Sequence, residues 1–280
     1  RGYRILNVYF YPIQYIPSEN KIYYTNKIYL EIEFENNKEF LRENKNQFFR
    51  NKKEDLNFVK KFVENKESVN TYNLGNQIIK QEYLGISQDS ICNPEDKIEY
   101  VVITSDTLKN TNGLYNLSDL KLHREKYNNY NTTIVTVEEI DSCSNYWNET
   151  AFFNDTQVHI REFCKDAYQN WETEYILLFG DWDSTTSHKI VPYRLFTDRY
   201  EGGYYDSMAS DMYYSHLDGD WYYNDGMWGG GKAGSNDLYG ELFVGRIACH
   251  DAETASNAIY KIINYETNQS YQKKWLRNIS

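Results

Sequence analysis

The 280-residue sequence lacks an excess of positive charge: 30 Lys and Arg stand against 41 Asp and Glu, a formal net charge of −11. A protein that follows a phosphate backbone carries a basic patch or stripe, so the balance argues against a nucleic-acid partner. No run of about 18 apolar residues occurs, and nothing in this segment reads as a bilayer span. The HExxH, CxxC and GxSxG motifs are missing, which removes the familiar zinc-peptidase, redox-pair and serine-hydrolase signatures. Cysteine and proline are scarce, 4 of each. Cys92, Cys143, Cys164 and Cys249 show neither metal-ligand nor disulfide-framework spacing. A single bridge formed in an oxidising compartment and free buried thiols are both compatible with that spacing. Mean hydropathy is low at −0.78, which alone would suit a disordered chain. The aromatic content excludes this: 28 Tyr, 13 Phe and 6 Trp form 17% of the residues, and disordered chains are poor in them.

What is present divides into unlike halves. Residues 1–36 read as β structure, with partial alternation over 3–11, breaks at Pro12 and Pro17, and Ile28, Leu30, Ile32 and Phe34 on one face of a second run. Residues 37–97 form a charged region in which Leu56, Val59, Phe62 and Val63 have helical spacing, followed by linker. From residue 98 strands and helices alternate. IEYVVIT (98–104) and YILLF (175–179) are continuous apolar runs of the kind covered on both faces. Between them, Ile160, Phe163, Cys164, Ala167, Tyr168 and Trp171 fall on one helix face. Further strands are predicted over 133–137 and 242–247, and further helices over 117–127 and 253–265. This order predicts an α/β fold with a parallel-rich sheet and right-handed crossovers, preceded by an antiparallel β segment. The chain begins at Arg1 with no signal-like segment and reads as an internal piece of a longer polypeptide.

Several motifs bear on chemistry. Residues 229–234 (GGGKAG) satisfy GxGxxG literally, and 226–233 nearly satisfy a P-loop, with Ala233 in the Ser/Thr position. Both motifs work only between a strand and a helix, and this one leads into a strand, so it reads as a glycine loop. The five histidines are scattered; adjacent Cys249 and His250 diverge as neighbours do and precede a helix, and Cys164 lies on an apolar face. The acidic signal is stronger. Asp181 follows strand YILLFG, where open parallel sheets place ligands. The loop over 182–240 holds nine of the 15 glycines and the Asp218-Gly219-Asp220 turn, and ends at Glu241. Tyr223 and Gly229 stand where an EF-hand starting at Asp218 needs Gly and Glu, so only a calcium site of another kind is open. Six N-x-S/T sequons, at Asn116, Asn131, Asn148, Asn154, Asn268 and Asn278, exceed the three or four expected from about 30 Asn and 33 Ser plus Thr, and mark possible glycosylation of an exported chain.

From residue 99 to Trp275 the sequence resembles the gingipain family of cysteine peptidases, in the caspase-like clan. The resemblance is carried by YVVITSD (100–106), TVEEI (136–140), IREFCKDAYQNW (160–171), YILLFGD (175–181), SDMYYSHLDGDW (210–221), ELFVGRI (241–247) and KIINYETN (261–268), in that order. Residues 3–34 resemble the end of that family's β-rich pro-domain. The resemblance implies an extracellular or cell-surface endopeptidase acting on protein substrates. Its thiolate attacks a peptide carbonyl while His shuttles the proton. The family's catalytic His and Cys lie in a second subdomain beyond the position of Trp275, and no histidine or cysteine here matches their motifs, so no catalytic residue is carried over. The segment would be a pro-domain tail plus the first, supporting subdomain, with the remaining catalytic subdomain as its partner. The alternative is a cell-surface or filament binding protein built on a degenerate peptidase-like domain. The resemblance also implies a Ca²⁺ site at the GD, DGD and YGE positions, using Asp181, Asp218, Asp220, Glu241 and a carbonyl near Tyr239. Four converging carboxylates would repel without a cation, and Ca²⁺ accepts 6–8 oxygens in flexible geometry.

Overall fold

The computed structural model describes residues 5–32, 53–71, 97–183, 189–199, 205–219, 221–222, 226–229 and 240–268. The chain separates into two compact units, residues 1–76 and 77–280.

In the first unit, β1 (Ile13–Ile16) and β2 (Lys21–Tyr24) pair antiparallel around a turn at Pro17–Glu19. The two prolines thus bracket a strand. Residues 5–11 and 25–32, which alternation predicts as strand, lie outside β1 and β2, and Ile28 and Leu30 are about half exposed. A two-stranded ribbon with no covered face cannot extend its strands by burial. Helices α1 (Lys53–Phe62) and α2 (Lys66–Thr71) follow, burying Val59 and Val69.

The second unit is an α/β layer structure. Strands β3 (Tyr100–Thr104), β4 (Thr132–Thr136), β5 (Tyr175–Phe179) and β8 (Phe243–Ile247) form a parallel sheet in the order β4-β3-β5-β8. One face carries Val102, Leu177 and Phe179, which pack with Leu117 and Leu120 of α4 (Leu117–His123) and Ala255 and Ile259 of α8 (Ala252–Thr267). Val101, Ile103, Ile176 and Leu178 point to the other side and are equally buried. Helix α6 (Thr156–Asn170) supplies the matching face, with Ile160, Phe163, Cys164 and Ala167 at 0% exposure. Each such aliphatic or aromatic side chain contributes about 1.5–3 kcal/mol on burial. The short helices α3 (Asp106–Lys109) and α5 (Val137–Ser142) begin directly after β3 and β4, capped by Ser105 and Thr136. A π-helical turn continues α4 through Asn128, close to the predicted helix end.

The 182–240 stretch, irregular by pattern, contains an antiparallel hairpin of β6 (Arg194–Arg199) and β7 (Tyr205–Ser210) and the turn α7 (Met212–Ser215). Gly229 (φ +101°) has a structural reason to be glycine: a Cβ there would lie 2.7 Å from Phe196 Cβ. No helix among the described residues is long and apolar enough to cross a membrane.

Candidate functional site

The strand order reverses at β3, so the crevice between the carboxyl ends of β3 and β5 is where such sheets place ligands. Asp181 stands at the carboxyl end of β5, on the side of β8. Its N–H donates to the Cys249 carbonyl (2.9 Å), and His250 Nδ1 lies 3.4 Å from its Oδ2. Its Oδ1 is buried and has no hydrogen-bond partner among the described residues. Cys249 is next to this histidine in sequence but not in reactivity. Its side chain packs with Leu108, Phe179 and Ile259, 1% exposed. Burial, followed by the nearby Asp181 and Asp251 charges, pushes its thiol up to about 12. Cys164 is wholly buried, and burial raises its thiol well above the ordinary range. Both are free, whereas Cys143 is disulfide-bonded; Cys92 lies outside the described residues. A thiol that resists ionisation is a poor nucleophile and a poor metal ligand. His250 instead belongs to the start of α8, where its N–H donates to Thr254 Oγ1 and Asp251 is the N-cap.

The acidic loop comes together elsewhere. Glu241, 4% exposed, accepts the Leu217 N–H at 2.7 Å through Oε2, while its own N–H donates to the Ser215 carbonyl. Its carboxylate therefore meets the turn that carries Asp218. The predicted single metal centre needs correction here. β5 and β8 run parallel, with Tyr175 level with Phe243 and Phe179 level with Ile247. Extending that register sets Glu241 level with Thr173, eight residues before Asp181, or roughly 26 Å at about 3.3 Å per residue. Leaving one parallel strand and entering its neighbour occur at opposite edges of the sheet. One ion cannot join Asp181 to Glu241. Asp220 and Tyr239 lie outside the described residues, and among the described residues no group of three or more His, Cys, Asp or Glu is placed to hold a metal ion. As to chemistry, the turn carrying Asp218 is met by Glu241, and both carry hard oxygen donors of the kind Ca²⁺ accepts; Asp181 offers an unpartnered oxygen, but at the other edge.

Arginines, which the sequence reading did not single out, hold this loop. Arg161 of α6 is 2% exposed and donates to four carbonyls: Tyr213 (2.9 Å), His216 (2.9 Å), Asp218 (3.1 Å) and Gly219 (3.1 Å). Arg194 forks onto Asp155 (2.7 and 2.8 Å), the N-cap of α6, and lies over the Tyr213 and Trp228 rings. Arg246 of β8 binds Asp211 with two bonds of 2.8 Å and reaches the Gly180 and Val191 carbonyls. The only sequence signal was arginine at otherwise apolar positions, IREFC and FVGRI. A planar fork with five donors suits such multi-carbonyl seats.

The sequons occupy different settings. Asn116 caps α4 and accepts from Ser118 and Asp119. Asn131 donates through Nδ2 to the Lys97 carbonyl and leads into β4. Asn148 is exposed and accepts the Thr150 N–H through Oδ1. Asn154 Oδ1 takes the Asn148 N–H and faces His159, whose other nitrogen meets Asp141 at 2.7 Å. Asn268 is the C-cap of α8, and Asn278 lies outside the described residues.

A four-stranded parallel sheet between helix layers, with Asp181 at one edge and Asp218 and Glu241 at the other, defines an α/β domain. Comparison with known proteins narrows the class. The sequence matches Peptidase family C25 over residues 93–280 and the C25 propeptide family over residues 1–66. The chain belongs to peptidase family C25, with a propeptide region ahead of the peptidase region. Gingipain R2 and Gingipain R1 of Porphyromonas gingivalis are each 28% identical to it over 119 residues, 42% of this chain. The match spans only 12% and 9% of the length of those two relatives. The chain is also similar to the crystal structure of dimeric latent PorU from Porphyromonas gingivalis, with a TM-score of 0.44 and 18% identity over 64% of this chain and 17% of that one.

Proposed function

We infer that this chain is the end of a pro-domain, which the propeptide match carries to residue 66, a connecting stretch, and the first, supporting subdomain (98–280) of an exported gingipain-like cysteine endopeptidase. Its nucleophile and base are supplied by a further subdomain. The observation that carries this reading is the state of the thiols. Cys164 and Cys249 are sealed in apolar surroundings, Cys143 is bridged, and no described cysteine is presented to solvent beside a histidine. Attack on a peptide carbonyl needs a thiolate with a base within reach. The bridge at Cys143 agrees with an oxidising, extracellular or cell-surface location. Ca²⁺ belongs to this reading at the turn that joins Asp218 and Glu241, with Asp220 and a carbonyl near Tyr239 completing the donors. When bound, the ion would offset the carboxylate charge and tether the loop.

The test compares two preparations on a mixed peptide substrate: purified residues 1–280, and the protein isolated from its own host. The expected result is no hydrolysis by the first and thiol-dependent hydrolysis by the second. Cleavage by residues 1–280 that Cys249→Ser or Cys164→Ser abolishes overturns the assignment. Inertness of both preparations favours the binding-module alternative.

A further inference from the structure

We propose that Asn148 is an N-glycosylation site, carrying an oligosaccharide whose first sugar lies against Trp147. The inference rests on the exported-protein reading and goes beyond it by selecting one sequon on structural grounds. Transfer needs an amide nitrogen free to react, an accessible Ser or Thr two residues on, and backbone outside regular structure so that an enzyme can grip it.

Three of the six sequons fail these conditions in the folded chain. At Asn116 the middle residue, Leu117, is 2% exposed, and the sequon forms the first turn of α4. At Asn131 the amide nitrogen is bonded to Lys97, and Thr132, 1% exposed, already lies in β4. At Asn154 the acceptor-side hydroxyl is committed: Thr156 donates to Asp141 at 2.9 Å, and Asp155 is locked between the α6 cap and Arg194. Asn268 and Asn278 have their serines outside the described residues.

Asn148 meets all the conditions. Asn148, Glu149 and Thr150 are exposed and lie between two short helical turns, at Ser144–Tyr146 and Ala151–Phe153. The Asn148 amide uses its oxygen on the Thr150 N–H, which leaves Nδ2 pointing away from that bond. A second observation points to a sugar. Trp147 is 53% exposed, yet it is held in place by an Nε1–H bond to the Asp141 carbonyl (2.8 Å) and by stacking on His159. A fixed, half-open indole one residue before the modified amide offers a platform for the apolar face of a pyranose that reaches back along the chain.

The donor is an oligosaccharide activated as a diphosphate ester and delivered by a separate transferase. The Nδ2–C1 bond forms, the C1–O bond to the diphosphate breaks, the diphosphate leaves with the electron pair, and one amide proton passes to a base of the transferase.

The experiment is site-resolved mass spectrometry of the protein from its own host, after fractionation into interior, surface and medium. Two proteases separate residues 131, 148 and 154. The expected result is a glycan on Asn148 in most molecules. Asn148→Gln and Thr150→Ala should lose it and Thr150→Ser should keep it. Protein recovered from the surface or medium with Asn148 bare, or modified only at Asn116, Asn131 or Asn154, overturns the site while export stands. Bare protein confined to the interior overturns the export reading together with the site.

Discussion

Asp166 is a carboxylate in the wrong solvent, 2% exposed on α6. Tyr146 Oη–H donates to its Oδ2 at 2.7 Å and Asn170 to its Oδ1 at 2.6 Å. Those bonds favour the ionised form, but desolvation outweighs them, and the group sits above its ordinary 3.8. The sign for stability follows from linkage. An acid whose folded value is raised holds its proton longer in the folded state. Its penalty is absent below 3.8, grows as pH rises and the unfolded chain ionises first, and is complete above the folded value. Asp166→Asn removes the ionisation; its amide oxygen still accepts from Asn170, and its Nδ2 donates to the Tyr146 hydroxyl, which turns from donor to acceptor. Urea unfolding of both proteins between about pH 3 and 7 should therefore show the wild type losing ground to the variant as pH rises. A constant difference across that range would mean that Asp166 is not the buried titrating group described.

At the scale of elements, one guanidinium organises the segment from α7 to Gly219. Replacing Arg161 with Met strands four carbonyls, and leaving buried acceptors unmet costs about 1–3 kcal/mol each before water reaches them. A total loss of roughly 3 kcal/mol or more, near 6–12 °C in Tm for a unit of this size, is expected. Arg161→Lys should recover little, because one ammonium cannot reach four seats. Hydrogen exchange gives the discriminating readout: amides over 212–219 should lose protection while those of β3 and β5 keep it. Uniform loss in both regions would show a general core defect instead. This staple also shows where sequence reading stops. The sheet and its helices were legible because β-branched runs such as YVVIT and the 3.6-residue stripe from Ile160 to Trp171 are local signals. The β6–β7 hairpin was not, because among the described side chains of RLFTDR and YDSMAS only Phe196 is a buried apolar anchor, and the hairpin is fixed by contacts with the start of α6 and with Trp228, distant in sequence. Carboxylates could be collected by type, but which edge of the sheet each one occupies depends on strand direction.

At the scale of the whole molecule that direction divides the acidic residues into two sets, Asp181 at the carboxyl edge and Asp218 with Glu241 at the amino edge. The Arg161 seat occupies the carbonyls of His216, Asp218 and Gly219, so Ca²⁺ at the Asp218 turn would draw on carboxylates more than on that backbone. Loop order would then rest on two cations, one built in and one exchangeable, and only the second responds to chelation. Binding to the folded state alone stabilises by RT ln(1 + [L]/Kd), about 2.7 kcal/mol at a hundredfold excess over Kd. Thermal unfolding in EDTA and then in excess Ca²⁺ should show an upward shift in wild type that Asp218→Asn/Asp220→Asn abolishes. Asp181→Asn separates the two edges: with its carboxylate some 26 Å from Glu241 by strand register, this variant should keep the full calcium shift. A wild type indifferent to calcium, or a double variant that still responds, removes the site. Loss of the shift in Asp181→Asn alone would mean that the ion sits at the carboxyl edge, against the unpartnered Asp181 oxygen.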